Sequence, residues 1–231
     1  MRPIYLTRSL SVAADADGIA QDQAIAGGVL TLNGALVVSG VAQLGSQRKV
    51  LLTPGAGDNL TGINFTLTGT DDQGHVISEI IAGPNAVTAQ SVLDYTTVVS
   101  ISADVAGGVG ETVSFGTNGV GASVPIPMDQ YIPDFTATLA AILRSGAVNY
   151  TVQFTMDDVF AAYNADTNQT QFMNGAAAGD PTKIIWWDHA TLTAQAASAK
   201  GVLTEPVRAV RLLTNSGTGE IELQVAQGGT Q

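Results

Sequence analysis

The sequence predicts an all-β protein, and three observations carry that prediction. In Val148 to Met156, VNYTVQFTM, the residues Val148, Tyr150, Val152, Phe154 and Met156 alternate with Asn149, Thr151, Gln153 and Thr155. A period of two over this length gives a strand one buried face and one wet face. Similar short segments recur along the chain, separated by Gly-, Pro- and Asn-containing turns, while helix signals between them are absent. A strand with one apolar side needs a second layer to bury it. The expected architecture is two β-sandwich domains in tandem, jelly-roll or Ig-like, with little helix.

Taken in order, residues 3–12 (PIYLTRSLSV) read as a first strand and ADADGIAQDQ as a loop. Asp15, Asp17 and Asp22 in that loop resemble the start of a calcium loop, but the closing Glu of the template is missing, so a solvated loop is expected. Asn33-Gly34, between Leu30/Leu32 and Leu36–Val38, predicts a two-residue hairpin. Residues 41–48 read as a connection and 49–53 as a short strand before the turn-rich 54–59. GINFTLTG (62–69) and HVISEII (75–81) form a strand pair around TDDQG, followed by strands at 96–104 and around Val113 and Phe115.

Pro125, Pro127 and Pro133 lie within 119–134, each removing a ladder donor. That stretch is the expected junction between an N-terminal domain, 1–124, and a C-terminal domain, 125–231. The second domain is expected to open on a hairpin of FTATLAAIL (135–143) with 148–156, closed by Arg144-Ser145-Gly146-Ala147. It is expected to end on a hairpin of 205–214 with 220–229. In that last hairpin Arg211 would face outward with Glu220 and Glu222, and an opposite-charge pair there would contribute a few tenths to about 1 kcal/mol. Between them, 157–182 is irregular with a short helix near Val159 to Tyr163, and 193–201 reads as a helical turn.

Composition narrows the function. A formal net charge of −11 disfavours direct binding to phosphate backbones. With no cysteine there is no disulfide framework and no thiolate metal site or nucleophile. No apolar run reaches signal-peptide or membrane-span length, so a soluble protein made in the cytosol is expected.

Catalytic groups are sparse. The two histidines, His75 and His189, fall in different expected domains, and no G-x-S-x-G occurs. His75 follows a turn and is expected to be exposed. The glycine-rich GGVGETVSFGTNGVG lacks the helix and Lys-Ser/Thr of a phosphate cradle, so its glycines read as β-turns. The sharpest polar-aromatic cluster is Trp186, Trp187, Asp188 and His189. One reading makes it a partner or glycan contact, since indole faces stack on sugars and fill interface pockets. The other has one Trp anchoring the core while Asp and His bond loop backbone, because nothing there has metal-ligand spacing. Asp157-Asp158 alternate sides if extended and make a poor acid–base pair. No enzyme activity, cofactor or metal is expected.

Several segments carry a family resemblance: SGAVNYTVQFTMDDVF, WWDHATLTAQ and EPVRAVRLLTNSGTGEIELQVAQGG toward the C-terminus, and TGINFTLTGTDDQGHVISEIIAGPNA before them. Together they resemble the small β-rich structural proteins in virions of tailed bacteriophages. The resemblance implies a virion component assembled in the host cytoplasm, a capsid decoration (cement) protein on the major capsid protein. A tail or head–tail accessory protein is the alternative it leaves open, and a carbohydrate-binding module is the alternative from another class. The decoration reading implies a homo-oligomer, dimer or trimer, while the acidic charge and the short apolar runs leave neither nucleic acid nor membrane as an expected partner.

Overall fold

A computed structural model of the chain describes residues 4–11, 13–159 and 184–228. The fold is all-β. Ala14–Asn118 forms one compact unit, and the described residues on either side of it form the other. The expected order of one domain after another is therefore replaced by an insertion. Strand β1 (Ile4–Ser11) does not join the residues that follow it. It runs antiparallel to the last strand, from Ile4 opposite Gln227 to Ser11 opposite Glu220, and buries Leu10 in the C-terminal core. The proline-rich stretch is likewise no linker: Ile126 and Pro127 pair with Val210 and Ala209 inside the outer unit. An edge position tolerates the missing proline donor.

In the inserted unit, β2 (Asp15–Ala24) is a strand where a loop was expected. Its polar composition hides two fully buried residues, Ile19 and Ala20, which anchor it to the core. β3 (Gly28–Val29) follows, and β4 (Val37–Val38) turns into β5 (Val41–Pro54). That hairpin closes through Ser39-Gly40, both at positive φ (52° and 82°), with Val38 opposite Val41. Positive φ at both central residues is the twist-matched turn for two-residue loops. Asn33-Gly34, the expected turn, docks on β2 instead: Asn33 Oδ1 accepts the Gln21 N–H at 2.9 Å. A Cβ on Gly34 would fall 2.1 Å from the Gly18 carbonyl carbon, so close backbone approach explains this glycine.

Residues 41–48 are not a connection but the first part of β5, with a register shift between Gln43 and Arg48 around Gly45 at φ 73°. β6 (Asn64–Thr70) and β7 (Val76–Ala82) form the expected hairpin, in register from Asn64 opposite Ala82 to Thr70 opposite Val76. β8 (Ala89–Gln90) pairs with β5, and β9 (Tyr95–Ala103) lies between β5 and β6. β10 (Thr112–Ala122) runs against β2. Phe65 and Phe115 meet edge to face in the core, centroids 5.5 Å apart. Gly116 is therefore in a strand rather than a turn; a Cβ there would lie 2.1 Å from the Asp15 carbonyl oxygen.

The outer unit has two layers. One is β1, β17 (Glu220–Gln227), β12 (Ala137–Ser145) and β15 (Ala199–Leu203), in that order. The other is β14 (Trp187–Asp188), β13 (Val148–Thr155) and β16 (Ala209–Gly217), flanked by β11 (Ile126–Pro127). Leu139, Leu223 and Val225 of the first layer and Tyr150, Val152 and Leu212 of the second share one core.

Both expected hairpins of this unit are instead arches. β12 pairs with β17 and β13 with β16, so the chain changes layer at 146–147 and again at 218–219. Alternation fixes which side of a strand is buried but not which strand lies beside it. The two arches stack: Thr218 and Gly219 N–H groups donate to Ala147 O at 3.1 and 3.0 Å. Their glycines are sterically required. A Cβ on Gly217 (φ 105°) would sit 2.3 Å from Ala147 O, and one on Gly219 2.4 Å from Ser145 O. The expected helical turn at 193–201 is not helical: Gln195 bridges Tyr150 between two bends, and Ala199 opens β15. The expected helix near 159–163 lies, beyond Val159, outside the described residues.

Candidate functional site

Trp186, Trp187, Asp188 and His189 follow one another along β14 and its flanks, and strand geometry parts them. Asp188 lies opposite Gln153, and Gln153 opposite Arg211, in one row across β14, β13 and β16. Gln153 Nε2 donates to Asp188 Oδ1 at 2.8 Å, and Arg211 Nε donates to Gln153 Oε1 at 2.9 Å. The Arg211 guanidinium carbon stands 4.1 Å from the Trp186 ring centroid. Trp186 also packs on a small cluster of Val159, Ile184 and Ala209.

Arg211 is thus buried beneath an indole, not outward beside the β17 glutamates. A desolvated stack of this kind contributes about 2 kcal/mol. Glu222 is held by Arg144 instead, in a two-pronged pair of 3.0 and 2.7 Å. The Arg144 hydrogen bonds, helped by Gln224, keep the Glu222 carboxyl below the usual carboxylate range.

Trp187 points the other way, opposite Phe154, and is 56% exposed. His189 is buried. Its backbone N–H donates to Val152 O at 2.9 Å, and its Nε2 reaches Val202 O at 3.2 Å. A carbonyl only accepts, so Nε2 carries the proton and Nδ1 is free to accept the Thr191 N–H at 3.3 Å. The imidazole therefore clamps the edge of one layer to β15 of the other. The space it needs comes from Gly201, where a Cβ would fall 2.5 Å from His189 Cε1.

Beside this clamp runs a groove of about 340 Å³ lined by Phe154, Asp188, His189, Thr191, Leu203 and Glu205. Its carboxylates and hydroxyl suit hydrogen bonding to a hydroxyl-rich surface, while the imidazole nitrogens are already engaged. The other acidic candidates are structural as well. Asp157 Oδ2 accepts the Ile185 N–H at 2.7 Å, and Asp158 pairs with Arg208 at 2.8 Å. His75 is half-buried rather than exposed, joined to buried Asp71 at 3.2 Å across their turn. Asp15, Asp17 and Asp22 are spaced along β2. Among the described residues no three His, Cys, Asp or Glu side chains gather as a metal site.

The residues that composition alone could not single out are Gln153 and Arg211. Their role depends on the β13–β16 register, which no local signal announces. No protein-family model and no curated protein matches the chain.

Proposed function

We propose that the protein is a structural component of a tailed-phage particle: a capsid decoration protein that binds the major capsid protein and stabilises the head. The observation that carries this reading is the resemblance of the four segments quoted above to virion structural proteins. Two features support it. The polar groups of the aromatic cluster are engaged in holding strands, so the outer surfaces are what the molecule offers a partner. The acidic charge suits a protein that stays dispersed before it assembles. The test is to strip or delete the protein from particles and follow head stability on heating, then add it back. Loss and restoration of stability support the reading; heads equally stable without the protein overturn it and leave a tail or head–tail role.

One observation favours a second reading, a carbohydrate-binding module: Trp187 is exposed next to the groove that holds Asp188 and Glu205. A glycan array probed with the parent and Trp187→Ala decides it. Binding lost with the indole supports the reading, and no binding by either protein removes it.

A further inference from the structure

The groove beside Trp187 carries charge of one sign. Asp188 and Glu205 line it, and no lysine or arginine does. Arg208, three residues past Glu205, pairs with Asp158 at 2.8 Å. Arg211 lies under Trp186, and the neutral amide of Gln153 stands between it and Asp188. Lys200 comes two residues before Val202 on β15 but is not part of the lining. The imidazole of His189 adds no cation either, since its Nδ1 accepts the Thr191 N–H, which a protonated ring could not do.

Glu205 is exposed, and among the described residues it forms no ion pair. Thr191 and Thr204 add hydroxyls to the lining. The 56% exposed Trp187 adjoins it, because its chain neighbour Asp188 and its cross-strand partner Phe154 both line the groove. An indole stacks on a sugar ring whatever charge the ring's substituents bear. The carboxylates do not share that indifference. They accept hydrogen bonds from hydroxyl and ammonium groups, and they oppose any anion brought up to them.

We propose that this groove takes glycans that are uncharged or carry a free amino group, and turns away those bearing carboxylate, sulfate or phosphate. Glu205 is the residue that sets the choice. The inference rests on the carbohydrate-binding reading and adds to it the class of sugar. Trp187 supplies affinity for any pyranose face, while Glu205 supplies the repulsive element that makes binding selective. The net charge of −11 acts in the same direction at longer range, lowering the local concentration of anionic sugars.

The test is an array of matched oligosaccharides in glucose, galactose and mannose series, each with neutral, amino and uronate members. It is probed at low salt, where screening is least, with the full chain, Glu205→Gln and Trp187→Ala. The parent is expected to bind neutral or amino members at least about tenfold more tightly than the matching uronates. Glu205→Gln should narrow that ratio at least about threefold, whereas Trp187→Ala should weaken binding in every class and leave the ratio unchanged. Because Glu205 is exposed, an unchanged circular dichroism spectrum certifies that its variant folds. Uronates bound as tightly as neutral sugars, or a ratio indifferent to Glu205→Gln, overturn the proposal and leave the carbohydrate reading standing. No binding of any member by the parent removes both.

Discussion

Gly217→Ala tests the stacked arches most sharply. The substitution has two separable costs. Holding a non-glycine residue at φ 105° takes about 1–3 kcal/mol. The added Cβ would also stand 2.3 Å from Ala147 O and 2.8 Å from Val148 Cα, both backbone atoms that cannot swing aside. Relieving that overlap costs a further 1–3 kcal/mol or so. The expected loss is about 2–6 kcal/mol, a large part of a typical 5–15 kcal/mol stability. Urea unfolding followed by tryptophan fluorescence is the assay, because both tryptophans lie in the unit that contains the arches. Gly119→Ala is the control in the same unit: its Cβ would meet nothing closer than 3.8 Å, and its change should stay within about 1 kcal/mol. A Gly217→Ala midpoint equal to the parent's would refute the arch geometry.

Three further outcomes follow from the same contacts. Glu222 has its carboxyl lowered in the folded state by Arg144, so the unfolded state binds the extra proton first. That contribution is complete above the unfolded value near 4.5 and is lost as pH falls through the folded value; Arg144→Gln should flatten this part of the acid-unfolding profile, and an unchanged profile contradicts it. His189→Ala leaves Val202 O without its donor and should cost about 1–3 kcal/mol, while Gly201→Ala should shift the His189 imidazole resonances by crowding Cε1. Phe115→Ala removes one ring of the edge-to-face pair in the inserted unit and should cost about 3–5 kcal/mol, read as faster amide exchange in β6 and β10.

Much of the fold was legible because alternation is local. β6, β7, β9, β12, β13 and β17 fall where the period of two marks them. What alternation does not carry is the identity of the neighbour. Gly146 and the Asn215–Gly219 segment read as hairpin turns, yet their glycines serve the contact of one arch with another far along the chain. The same ambiguity hid β2, whose polar residues outnumber Ile19 and Ala20, and sent β1 to the wrong unit, since a strand's own sequence does not name its partner. At the candidate site the cluster Trp186 to His189 stood out by composition. Its division into a hydrogen-bonded row, an exposed indole and a buried clamp depended on pairing with Gln153, Arg211 and Val202.

The functional account rests on surfaces repeated many times rather than on a pocket used once. Quantitative mass spectrometry of purified particles, with labelled antibody placing the protein on head or tail, tests this most directly. A decoration protein should be present on the order of hundreds of copies, on the head, in a fixed ratio to the major capsid protein. About a dozen copies or fewer, confined to the tail or neck, would contradict it.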